Sequence, residues 1–212
     1  MSIPLIVSLV NRSKDEILDV LQGISRYIEE IHVQEPLIQN EGIDILAFLK
    51  ARYPKKKIVV DISTAKKLDE NYSNWIKRSS IKTFIIASDL TPTNFKEMVT
   101  FLREHKKNII VKGQKFSNHQ LQKFDIQKVF FYRPQPKKQD RIWTQNEYLQ
   151  MKSLIKKGFF LLIGDININN LASLNKLHAV GFTISDEVCY SFNPIETSKR
   201  IYLKIKDEYA TE

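Results

Sequence analysis

The stretch Lys57-Ile58-Val59-Val60-Asp61-Ile62-Ser63-Thr64-Ala65-Lys66 sets a lone carboxylate directly behind a short, β-branched apolar run. Such a run reads as a buried parallel strand, and α/β folds keep their chemistry at the C-terminal ends of such strands. Asp61 is therefore the first candidate, with Ser63 and Lys66 close behind it. An acid in this position also serves as a helix cap or loop former, and both readings stay open. His32 stands within a second apolar run with Glu35 just behind it, and Arg133 follows a further run. An imidazole from His32 with the carboxylate of Asp61 would suit Zn²⁺ or Mn²⁺ better than Mg²⁺, which prefers an all-oxygen shell. Such a divalent metal would polarise a carbonyl, with Lys66 or Arg133 as a further electrophile. Asp61, Asp165, Asp186 and Glu187 all stand behind apolar runs. Gathered in one cleft they would favour a metal or a cationic ligand; taken singly they cap the helices that follow.

These residues need elements to bring them together. Apolar runs at 3–10, 31–33, 58–60, 83–87, 108–111, 129–132, 159–163 and 180–184 give eight strands, and amphipathic or capped segments follow each. Ser13-x-x-Glu16, Ser117-x-x-Gln120 and Thr144-x-x-Glu147 are capping boxes, and Thr91-Pro92 places proline at a first helical position. Helices are expected to Tyr27 and over about 41–52, with a short one around 169–175 and a closing one from Asn193-Pro194-x-Glu196. The polar, proline-containing segment 133–142 reads as a loop. A βα unit recurring roughly every 25 residues, without a Gly-x-Gly-x-x-Gly turn, favours a closed (β/α)₈ TIM barrel over an open dinucleotide-binding sheet. One α/β barrel domain then spans residues 1–212. Its mouth would gather Asn11, His32, Glu35, Asp61, Ser63, Lys66, Gly113, Arg133, Gly164, Asp165, Ser185, Asp186 and Glu187.

Composition narrows the partners. The 212-residue chain is 42% hydrophobic, which is ordinary for a globular domain, and it carries a formal charge of +9. Much of that charge sits in Lys55-Lys56-Lys57, Lys106-Lys107, Lys137-Lys138 and Lys156-Lys157, mostly just before strands. Cations at helix C-termini complement the helix dipole, so no nucleic-acid role is expected. The apolar runs are too short to cross a bilayer, and no signal pattern opens the chain, so no membrane role and a cytoplasmic location are expected. The single cysteine, Cys189, cannot form an internal disulfide.

Several segments resemble the orotidine-phosphate-decarboxylase-like barrels, specifically 3-keto-L-gulonate-6-phosphate decarboxylase and 3-hexulose-6-phosphate synthase. They are the opening strand from Ile3, Asn40-Glu41-Gly42 leading to Leu49-Lys50-Ala51-Arg52-Tyr53-Pro54, Ile58 to Asp61, Trp143 to Phe159, and Asn193-Pro194-Ile195-Glu196. In that family an Asp-x-Lys-x-x-Asp signature follows the third strand. Asp61 matches its first acid, whereas Ser63 stands for the lysine and Lys66 for the second acid. Asn11 takes the place of the first-strand acid, His32 of the metal-binding glutamate and Arg133 of the sixth-strand histidine. The phosphate grip becomes Gly164-Asp165 and Ser185-Asp186-Glu187. The resemblance implies the fold and a homodimer, or a mixed dimer with an active relative. With the signature lysine and the phosphate-binding arginine replaced, the expected function is a barrel without the parent chemistry, acting as a non-catalytic binding or regulatory protein. The alternative is an active carbon–carbon lyase or isomerase for a ketose-type substrate, using a divalent metal (Mg, Mn or Zn) on His32 and Asp61.

Overall fold

Short β-branched runs buried on both faces build the centre of the molecule. In a computed structural model, residues 3–9, 12–132, 142–174 and 177–209 are described. The strands are β1 (Leu5–Leu9), β2 (Glu30–Gln34), β3 (Lys57–Asp61), β4 (Thr83–Ala87), β5 (Asn108–Gly113), β6 (Lys128–Phe131), β7 (Phe160–Ile163) and β8 (Gly181–Ile184). They pair in sequence order, all parallel, and β8 returns to β1 to close the barrel. The chain is a single (β/α)₈ TIM barrel, as its strand spacing predicts.

Alternation along each strand makes two cores. Ile6, Val59, Ile85, Ile110, Phe130 and Leu162 fill the barrel interior. Their strand neighbours, such as Val7, Val60, Phe84, Ile86, Val111, Leu161 and Ile163, pack outward in the larger core under the helices. Because side chains two apart on a strand face the same way, Glu30, Lys57, Thr83, Asn108, Lys128 and Phe160 also point inward near the N-terminal ends. By the same rule Gln34, Asp61, Ala87 and Lys112 point inward near the C-terminal ends.

The helices differ in detail from the pattern read in the sequence. α1 (Lys14–Ile24) has the expected capping box but ends before Tyr27. α2 (Glu35–Glu41) begins directly after β2, where a loop is expected, because Pro36 suits a first helical turn. Gly42, at φ 76°, separates it from α3 (Asp44–Arg52), so one expected helix becomes two. α4 (Glu70–Arg78), α5 (Pro92–Glu104), α6 (Asn118–Lys123) and α7 (Gln145–Lys156) follow their strands as expected. After β7 the short helix is a 3-10 turn, Leu171–Leu174. After β8 a short α8 (Asp186–Cys189) precedes the closing α9 (Pro194–Tyr209). Nine α-helices among the described residues thus accompany the eight strands. Most of the proline-containing loop, residues 133–141, lies outside the described residues.

Candidate functional site

The last inward positions of β3 and β5 hold an ion pair. Lys112 Nζ lies 2.7 Å from Asp61 Oδ2, and the Ser63 backbone N–H donates to Asp61 Oδ1 at 3.0 Å. Asp61 is 3% exposed, so the carboxylate is out of reach of bulk water. Burial works against its charge, but the Lys112 ammonium and the Ser63 contacts outweigh burial and hold the carboxyl below the usual carboxylate range. β4 lies between the two strands, and the residue paired with Lys112 there is Ala87. Its small side chain leaves the space that Lys112 crosses.

Aromatic rings form the other wall. Lys112 Nζ stands 4.4 Å from the centre of the Tyr132 ring and 5.4 Å from that of Phe130. Both are cation–π distances. The Tyr132 phenol is pushed up to about 12, by burial first and then by the negative fields of Asp165, Asp186 and Asp61. Those acids therefore face a common region beside Tyr132. Gly164 closes the wall: a Cβ there would come within 2.6 Å of Phe130 Cε2 and 3.2 Å of Tyr132 Cδ2.

The loop after β7 is knitted by asparagines. Asn170 Nδ2 donates to the Asp165 carbonyl at 2.8 Å and Asn170 Oδ1 accepts from the Asn167 N–H at 3.0 Å. Asn167 Oδ1 accepts from the N–H groups of Asn169 and Asn170. Asp165 is held at φ 62°, a left-handed conformation that aspartate tolerates better than most residues. After β8, Ser185 precedes α8, and burial raises the carboxyl of Asp186.

His32 is not at the mouth, where the strand-end reading puts it. It sits in the middle of β2, opposite Val59 and fully buried, because β2 runs one residue beyond Val33 to Gln34. Its Nε2 is 2.6 Å from Glu30 Oε1, on the side away from the mouth, while Nδ1 has no hydrogen-bond partner. The position facing Asp61 across the β2–β3 ladder is Gln34, whose Nε2 donates to Ser8 Oγ at 2.9 Å. Among the described residues no group of three or more His, Cys, Asp or Glu side chains is placed to hold a metal ion. Among the described residues, His32 and Asp61 therefore belong to no such group.

Glu35 is buried in another network. It accepts from Tyr72 Oη at 2.5 Å, from Gln39 Nε2 at 2.5 Å and from Thr64 Oγ1, tying α2, α4 and the loop after β3 together. Lys66 lies outside this cluster. It forms an exposed pair with Asp89 at 3.2 Å, both side chains 70% exposed. Asn11 and Arg133 fall outside the described residues. The structure thus brings together Asp61 and Ser63, with Asp165 and Asp186 near Tyr132.

Two residues are missing from the sequence reading. Lys112 stands in an apolar strand of a lysine-rich chain, and only its inward phase, shared with Ile110, marks it. Arg12, between β1 and α1, lies with its guanidinium 4.6 Å over the Tyr190 ring just beyond α8 and 3.6 Å from Glu16. Its signal is only its place just behind the first apolar run of the sequence.

Comparisons with solved structures agree with this architecture. KGPDC from Streptococcus mutans superposes with a TM-score of 0.77 at 16% identity, covering 99% of this chain and 100% of that one. 3-Keto-L-gulonate-6-phosphate decarboxylase from Vibrio cholerae gives 0.76 at 14% identity over 98% of this chain and 99% of that one. A 3-hexulose-6-phosphate synthase gives 0.70 at 14% identity over 94% and 98%. The likeness is one of fold. No protein-family model matches the chain, and no curated protein matches it in sequence.

Proposed function

We propose that this chain is a sugar-phosphate-decarboxylase-like barrel that has lost metal-assisted carbon–carbon chemistry and serves as a non-catalytic binding or regulatory protein. The observation that carries this reading is the state of Asp61, the acid it shares with the Asp-x-Lys-x-x-Asp signature. Each of its oxygens already has a partner, one in Lys112 and one in the Ser63 N–H. A carboxylate so held is a weak base, and a divalent ion would have to displace the ammonium to reach it. His32 is sealed below it against Glu30. The acids near Tyr132 oppose a phosphate rather than grip one. The chain is expected to be cytoplasmic and to form a homodimer, or a mixed dimer with an active relative, which would make it a regulator of that relative. No helix among the described residues is long and apolar enough to cross a membrane.

Lys112 favours a second reading. It supplies, from β5, a partly buried cation facing the mouth, and a cation there can stabilise a developing oxyanion without a metal. Assay of the purified chain with pentose and hexose ketose phosphates decides between them. The first reading expects no turnover with Mg²⁺, Mn²⁺, Zn²⁺ or a chelator; turnover that survives chelation and disappears in Lys112→Met would establish the second.

A further inference from the structure

The other end of the barrel is built unlike an ordinary hydrophobic plug. At the N-terminal ends of the strands the inward positions are Lys57, Thr83, Asn108, Lys128 and Phe160, and they open into a cavity of about 470 Å³. That is within the range of small-molecule sites. Four of its lining residues are basic, namely Lys57, Arg103, Lys107 and Lys128, against one acid, Asp125.

Two of the four cations have a structural use. Lys107 Nζ donates to the carbonyls of Ser79 and Ile81 at 2.9 and 2.8 Å, and Arg103 donates to the Phe124 carbonyl. The strand lysines are different. Lys57 bonds Glu30 Oε2 at 2.6 Å, yet its side chain remains 48% exposed to the cavity side. Lys128 is half-buried in the field of the same glutamate, but the direct bonds to Glu30 come from His32 and Lys57. Lys128 is therefore an inward ammonium in a basic cavity, and among the described residues it makes no direct ion pair with a carboxylate. An anion in the cavity would supply the missing partner.

Phe160 gives the site a second character. It pairs with Lys128 across the β6–β7 ladder and is 54% exposed, although the strand's other residues are buried. An exposed phenyl ring beside an unspent ammonium offers a stacking face next to a phosphate-sized charge, and planar bases stack on such rings. Helix-dipole compensation accounts for Lys107 and Arg103 but for neither Lys128 nor the open ring.

We infer that the N-terminal cavity is a binding site for a nucleoside phosphate, with the phosphates on Lys128 and Lys57 and the base against Phe160. The site lies at the opposite end of the strands from Asp61 and Lys112, so it stands or falls independently of the mouth.

Calorimetric titration of the whole chain with ADP, pyrophosphate and adenosine tests it. ADP is expected to bind at concentrations of about 1 mM or below, and adenosine at least about tenfold more weakly. Lys128→Gln should weaken both ADP and pyrophosphate by about tenfold. Phe160→Ala, at an exposed position that tolerates truncation, should weaken ADP and leave pyrophosphate unchanged. The mouth double variant Asp61→Asn with Lys112→Met should bind ADP as the unaltered chain does. Absence of ADP binding, equal binding of adenosine, or binding that follows Lys112 rather than Lys128 and Phe160 would overturn the inference.

Discussion

At the scale of single residues two buried carboxylates, Asp61 and Glu30, set the electrostatics of the barrel interior. Breaking a buried pair from one side leaves an uncompensated charge, so Lys112→Met should lower unfolding stability by about 3–5 kcal/mol in urea denaturation. Adding Asp61→Asn to it should recover a large part of that loss, because no orphan carboxylate then remains. The second carboxylate sets acid stability. Burial alone would raise the carboxyl of Glu30, but the bond and field of His32 and then Lys57 bring it down to about 2, from an ordinary 4.5. A carboxyl depressed in the fold stabilises fully above its unfolded value and loses that contribution as pH falls through its folded value. Glu30→Gln should therefore cost on the order of 3 kcal/mol at neutral pH and progressively less between pH 4.5 and about 2. Urea midpoints of the two proteins across that window measure the difference.

At the scale of elements, small residues make room for the charged ones. Ala87 on β4 lies in register with Lys112, and a Cβ on Gly164 would strike the Phe130 ring. Ala87→Leu and Gly164→Ala should each cost about 1–3 kcal/mol by overpacking, with melting temperature as the readout. The strands were largely legible because both faces of each are buried, which gives continuous apolar runs. Capping boxes at Ser13 and Thr144 likewise fixed the starts of α1 and α7. The break at Gly42 was harder to read, since apolar residues on either side sustain a helical pattern while φ 76° ends it. Of the candidate cluster, Asp61, Ser63, Gly164, Asp165 and Asp186 were legible, as residues standing just behind apolar runs. Proximity after a strand misplaced His32, because one extra residue in β2 moves it from the rim to the interior. Lys112 was hidden because its partner lies two strands away, a contact set by barrel closure rather than by local spacing.

At the scale of the whole molecule, the two ends of one barrel carry different electrostatics. The mouth has a neutralised pair, a raised phenol and acids; the N-terminal end has four cations around a cavity. The net charge of +9 is thus not spread evenly over solvated helix ends. On the proposed function, Asp61 is held by Lys112 and binds no metal. Thermal melting with Mg²⁺, Mn²⁺ or Zn²⁺, each with and without a ketose phosphate, tests that claim most directly, since a ligand of the native state raises its apparent stability. No metal-dependent rise in the midpoint is expected, with or without the sugar phosphate. A rise that requires metal and sugar phosphate together, and is lost in Asp61→Ala, would contradict it.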